Sequence, residues 1–274
     1  MGTSTGNVDP RGGGRSDVPP RITLFGISLD NLTMDEAVSE LVGRALQHRR
    51  TLVSFVNAYC VNVAWNDEAY RETLRSSDLT FADGSGMRLT GRLLDQPLRD
   101  NVNGTDLFPA LVAAVATTDL RLYLLGARPG VADSVADWIG TTAPSTVVAG
   151  TDHGYHGPDE HAAVLERIRA ARPDILFVAM GVPGQEEWLA AHLDATGATV
   201  GIGVGGLFDM VSGRIPRAPA WMRRLGIEWT WRLAKEPRRM WQRYLVGNVV
   251  FVGHALRERF LGLPARLRPP GVGR

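Results

Sequence analysis

Six short apolar runs, separated by helix-length sequence, restrict what this chain can become. They are Leu52–Val56, Leu79–Ala82, Leu122–Leu125, Thr146–Ala149, Ile175–Met180 and Thr199–Val204. Strands alternating with helices of some ten residues mean βαβ units, hence an α/β fold with a mostly parallel sheet and helices on both faces. The segments between fit that reading. Arg21–Leu29 reads as a first strand or hairpin arm, and Thr33-Met34-Asp35-Glu36 is a capping box opening a helix to about His48. Val61, Ala64 and Trp65 mark the buried face of a helix after Asn57. Further helices are expected from near Met87 to Leu94, from about Leu107 with Thr105 as cap, from Asp159 to Ala171, and, short, after Glu186. No period of 20–50 residues signals a repeat architecture.

The pattern changes after Gly213, and so does the charge. Residues 214–274 hold 14 basic and 3 acidic side chains, a net of +11, against −10 for residues 1–213. Trp221, Trp229, Trp231 and Trp241 lie among these arginines in short helices broken by Pro216, Pro219, Gly226 and Pro237. Four segments follow: a disordered Gly/Ser/Pro/Arg-rich leader (1–20), an α/β body (21–213), a basic helical C-terminal appendage (214–263) and a flexible tail (264–274). So basic an appendage expects an anionic partner, and tryptophan beside arginine suits a phospholipid surface. Nucleic acid is not expected, since no recognised binding module is present. No secretory signal and no run of about 18 apolar residues is visible. One cysteine, Cys60, permits no intrachain disulfide and fits a reducing cytoplasm.

Chemistry in an open α/β sheet belongs at the carboxyl ends of strands. Asn57, Asp83, the Gly126 turn, Gln185 and Asp209 stand at such ends. Asp83 heads Asp83-Gly84-Ser85-Gly86 and has two readings: a catalytic base, or a cap for the helix that follows. Gly201-x-Gly203-x-x-Gly206 has the form of a dinucleotide fingerprint, but Ser212, Gly213, Pro216 and Pro219 interrupt the crossover helix it requires. A nicotinamide-dependent oxidoreductase therefore stays only as an alternative, beside a non-catalytic nucleotide-binding protein of the membrane surface. No metal cofactor is expected: there is no D-x-D, and His153 and His156 sit in a Gly-flanked loop.

Taken in order, several segments resemble the WecG/TagA/CpsF family of bacterial glycosyltransferases. They are Asp83–Gly86, Asn103-Gly104-Thr105-Asp106-Leu107, Gly150-Thr151-Asp152-His153-Gly154-Tyr155, Gly205-Gly206-Leu207-Phe208-Asp209, and Arg217-Ala218-Pro219 through Glu228-Trp229 to Glu236-Pro237. The resemblance implies a Rossmann-like body and an inverting transfer of a hexose or N-acetylhexosamine from a UDP-sugar to a polyprenyl-diphosphate-linked sugar. The work would be done at the inner face of the cell membrane, for a cell-surface polysaccharide, with no cofactor; a homo-oligomer stays open. It makes Asp83 the general base and places Asn57, Gln185 and Asp209 in the nucleotide-sugar pocket. Gly84, Ser85, Gly86, Asn103, Gly104, Thr105, Asp106, Gly126, Tyr155, Gly205 and Gly206 become substrate-binding candidates. Arg214, Arg217 and Arg224 are the appendage arginines expected at the diphosphates. Phe55, Asn101 and Gly184 replace residues common in the family (threonine, arginine and lysine), and these changes fall around the pocket.

Overall fold

The computed structural model describes residues 20–268. The proposed leader, apart from Pro20, and the tail beyond residue 268 lie outside them. In chain order the strands are β1 (Arg21–Leu24), β2 (Ile27–Asp30), β3 (Thr51–Val56), β4 (Leu79–Ala82), β5 (Arg121–Gly126), β6 (Val147–Asp152), β7 (Ile175–Ala179) and β8 (Val200–Gly203). The helices of the body are α1 (Met34–Leu46), α2 (Ala58–Asn66), α3 (Glu68–Arg75), α4 (Ser85–Leu93), α5 (Gly104–Val115), α6 (Val131–Thr142), α7 (His161–Ala171), α8 (Gly184–Thr196) and α9 (Leu207–Val211). The appendage adds α10 (Ala220–Arg224), α11 (Glu228–Lys235), α12 (Pro237–Trp241) and α13 (Gly247–Leu261).

β3 to β8 form one parallel sheet in the order β4-β3-β8-β7-β5-β6, while β1 and β2 make a separate antiparallel hairpin. Alternation along a strand sends successive side chains to opposite faces. Val53 and Phe55 of β3 join one core layer with Leu41 of α1, Leu111 of α5 and Val135 of α6. Leu52 turns the other way, toward Leu189 and Leu193 of α8 and Ile168 of α7. Val56 enters a third cluster with α2, α3, the hairpin, and Phe251 and Ala255 of α13. Both faces are thus covered, as the apolar runs require.

Local boundaries moved where tertiary contacts override sequence pattern. Asn103, not Thr105, caps α5: its side chain accepts from Asp106 N at 2.9 Å, and the helix starts at Gly104. β6 extends through Gly150-Thr151-Asp152, because Gly150 admits the Tyr123 ring of β5, which would stand 2.6 Å from a Cβ there. The segment after Glu186 is a full helix, α8, and α3, which carries the buried Tyr70 and Leu74, had no sequence counterpart. Past Pro237 the appendage does not break: α12, a π-helical turn at Gln242–Val246 and α13 run on as one helix. Leu267, expected in a loose tail, is buried beside Gly26.

Candidate functional site

The carboxyl ends of the sheet strands open into a cavity of about 690 Å³. Its floor is the turns that leave the strands: Gly203 to Gly206 after β8, Ala179 to Val182 after β7, Ala127 and Arg128 after β5, and Gly154 and Tyr155 after β6. Its wall is the appendage, through Arg232, Lys235, Arg239 and Arg243. Backbone just behind the floor packs closely at a glycine. Gly126 has φ +134°, and a Cβ there would lie 2.6 Å from the Ala179 backbone.

A second cavity of about 470 Å³ lies between α4 and the appendage. Leu89, Leu93, Trp229, Tyr244, Phe251 and Val252 line it. The two cavities share Asn57, Asp83, Thr105, Met210, Arg232 and Arg243. Asp83 therefore stands where a polar chamber meets an apolar one.

Asp83 does not cap α4. Gly84 is the N-cap residue, without any side-chain bond, so the carboxyl group is left facing the cavities. Asn57 holds it: Oδ1 accepts from Tyr59 N (3.0 Å) and Cys60 N (3.2 Å), capping α2, while Nδ2 donates to Asp83 Oδ2 at 3.4 Å. Burial pushes the Asp83 carboxyl above its ordinary value, and the Asn57 bond with the Arg243 and Arg232 charges only partly offsets it. Arg243 sits in the π-helical turn with its guanidinium 4.4 Å from the Tyr59 ring centroid.

Of the other sequence candidates, Gln185, Asp209, Arg214, Tyr155, Gly104, Gly205 and Gly206 line the polar cavity. Gly84, Ser85, Gly86, Asn103 and Asp106 line the apolar one, and Thr105 borders both. Three candidates lie outside the lining of both cavities. Gly126 is buried behind the floor against Ala179, and Ala127 and Arg128 take its place at the surface. Arg217 lines neither cavity: it binds Asp106 at 2.5 Å and faces Glu228 at 3.8 Å, fastening the appendage to α5. Arg224 is exposed at the end of α10 and lines neither cavity. Burial pushes the Asp106 carboxyl up, but the bonds from Asn103 and Arg217 outweigh this and hold it below the usual range. The cations that do line the polar cavity are Arg214, Arg128, Arg232, Lys235, Arg239 and Arg243. Arg232, Arg239 and Arg243, together with Glu236, recur at spacings of four, three and four. The arginines sit on two helices, since the backbone leaves helical conformation at Glu236, between α11 and α12.

The dinucleotide alternative fails on topology. After Gly206 the chain makes only the five residues of α9 and then enters the appendage, so no βαβ crossover follows. Glu228, at the spacing of the ribose-binding acid, instead faces Arg217. Among the described residues no three His, Cys, Asp or Glu side chains gather as a metal site.

A parallel α/β sheet whose strand ends gather glycine turns, arginines and a half-buried carboxylate has its cavity where such folds bind ligands, lined by groups that suit anions. The chain is a member of the WecG/TagA/CpsF family of glycosyl transferases, whose family model matches residues 22–263. A relative in Bacillus subtilis (strain 168), N-acetylglucosaminyldiphosphoundecaprenol N-acetyl-beta-D-mannosaminyltransferase, is 35% identical over 194 residues, covering 71% of this chain and 75% of its own length. A protein of the same name in Staphylococcus aureus (strain MW2) is 30% identical over 223 residues, covering 80% and 87%.

Proposed function

We propose that this enzyme moves an N-acetylhexosamine or hexose from a UDP-sugar to a sugar carried on a polyprenyl diphosphate, with inversion. The observation that carries the reading is the meeting of the two cavities at Asp83. The polar cavity suits a nucleotide sugar, with glycine turns and cations for its diphosphate. The apolar cavity suits an acceptor that arrives with a lipid, and the names of the relatives describe such an acceptor.

Asp83 takes the proton of the acceptor hydroxyl as that oxygen forms its bond to the anomeric carbon. The bond from that carbon to the diphosphate breaks in the same displacement. The electron pair leaves on UDP, whose growing charge Arg232 and Arg243 meet at the junction; no metal cofactor is invoked. A carboxyl lifted by burial is a better base than an exposed one, since its charged form is poorly solvated.

The acceptor's lipid directs the reading to a membrane surface at the cytoplasmic side. No helix among the described residues is long and apolar enough to cross a membrane. Along α13 and the turn before it, however, Leu245, Val249, Val252, Leu256 and Phe260 are exposed at helical spacing, Val249 at 74% and Phe260 at 75%. Arg257, Arg259, Arg266 and Arg268 lie on or just beyond the same helix, a combination suited to anionic headgroups.

The test is a screen of UDP-sugars with a short-chain polyprenyl-diphosphate-linked GlcNAc acceptor, using the wild type and Asp83→Asn. The wild type should transfer one sugar with inverted configuration. Asp83→Asn should keep UDP affinity and lose about 10²–10⁴-fold in turnover, the range of a general base. Unchanged turnover removes Asp83 from the role, and a retained anomeric configuration removes the displacement.

A further inference from the structure

Glu186 follows Gln185 on α8 and is fully buried. Its Oε1 accepts from Gln185 Nε2 at 2.7 Å, and its Oε2 has no hydrogen-bond partner. Gln185 Oε1 in turn accepts from two backbone N–H groups, Gly205 at 2.7 Å and Gly181 at 3.1 Å. This fixes which way the amide points. A backbone N–H only donates, so the carbonyl oxygen must face the glycines and Nε2 must find an acceptor behind it. Glu186 is that acceptor. The amide lies against Gly203, where a Cβ would come within 2.9 Å of Nε2.

Gly181 and Gly205 belong to the turns after β7 and β8, both with positive φ (+85° and +55°), and both line the polar cavity. One side-chain amide therefore staples together two neighbouring turns of the cavity floor. We propose that Glu186 is a positioning residue: by accepting from Gln185 Nε2 it holds the amide that ties the Gly181 and Gly205 turns, and so sets the floor on which the anionic donor lies. This rests on the reading of the polar cavity as the UDP-sugar pocket.

A carboxyl in this place is costly. Burial pushes it up to about 7, and its second oxygen is left unbonded. A side chain serving packing alone would do better as leucine, which buries no polar atom. The carbonyl-type oxygen toward Gln185 is what leucine lacks. Burial first, and the Glu186 charge after it, disfavour ionisation of the buried Cys60 on α2 and Tyr70 on α3.

The experiment compares Glu186→Leu, Glu186→Gln, Gln185→Met and the double variant Gln185→Met/Glu186→Leu. It reads amide hydrogen exchange at Gly181 and Gly205 together with calorimetric titration of UDP. Glu186→Leu should speed exchange at both glycines by about tenfold and weaken UDP by about tenfold, the loss of one buried hydrogen bond. Glu186→Gln, which keeps an acceptor oxygen, should stay within about twofold of wild type. Gln185→Met should reproduce the loss, and the double variant should add nothing to it, because the two residues act as one unit. Unchanged exchange in Glu186→Leu, equal losses in Glu186→Gln and Glu186→Leu, or additive losses in the double variant would overturn the proposal. Should Glu186→Leu not fold, Glu186→Gln and Gln185→Met still decide it: loss in the first or no loss in the second overturns it. A wild type that does not bind UDP sinks the donor reading instead, and exchange at the two glycines then decides on Glu186 alone.

Discussion

Two carboxyls near the strand ends, Asp83 half-buried and Glu186 fully buried, differ in what surrounds them, and their pH responses differ accordingly. Asp83 is lifted by burial but faces Arg243, Arg232 and the Asn57 amide across the cavities. As a base it works only when ionised, so the acid limb of kcat/KM should fall at a pH above the ordinary aspartate value of about 4. A limb at or below that value would mean the carboxyl is not the titrating base. Glu186 has no cation to offset its burial and stands at about 7 in the fold, against about 4.5 unfolded. Between these values the unfolded chain has released a proton that the native state keeps. Stability from this group is therefore full below about 4.5 and declines as pH rises to about 7. Glu258, which accepts from Phe25 N, is lifted to about 7 and acts with the same sign. The difference in melting temperature between wild type and Glu186→Gln isolates the Glu186 share. Relative to the variant, wild type should lose stability between about pH 5 and 7 and change little above.

At the scale of elements, the appendage helix from Pro237 to Leu261 does two jobs because its faces differ. Phe251 and Ala255 are buried against the hairpin and α2, with Phe251 5.3 Å from the Phe25 ring. Glu258 ties down the hairpin's Phe25, and Asn62 of α2 donates to Gly247 O at 2.7 Å. These contacts hold the π-helical turn over Asp83, and π turns inside helices recur at functional sites. Arg243→Ala and Arg232→Ala should each lower kcat by about 10²-fold, the scale of a lost transition-state donor. Arg224→Ala, on an exposed helix end, should leave it unchanged. Steady-state kinetics with saturating donor separate these outcomes.

At the scale of the whole molecule, the charge division places the basic segment over the mouth of an acidic body. Arg217 bound to Asp106 and Ser85 donating to Gly226 O at 2.7 Å close the join beside the apolar cavity. The exposed apolar stripe of α13 with its neighbouring arginines predicts vesicle binding that grows with anionic lipid content. Sedimentation with vesicles of phosphatidylglycerol should show it, weakened by raising salt from about 0.1 to 1 M as screening shortens. Replacing Arg257, Arg259, Arg266 and Arg268 by glutamate should abolish it while leaving UDP affinity intact. Equal binding to neutral and anionic vesicles would dismiss the charge argument.

The sequence by itself determined the strand runs, the parallel α/β class, Asp83 at a strand end and the chemical character of the appendage. Each of these rests on period, capping or composition, which are local properties of a chain. Only the tertiary structure decided which cations line the site. Arg217 and Arg224 carry the same charge as Arg232 and Arg243, and the difference is the path of a helix folded back onto residues far away in sequence. Asn57 as the clamp of Asp83, and Glu186 as the support of Gln185, were equally out of reach. A hydrogen bond depends on where two atoms stand in space, and no pattern along the chain records that distance.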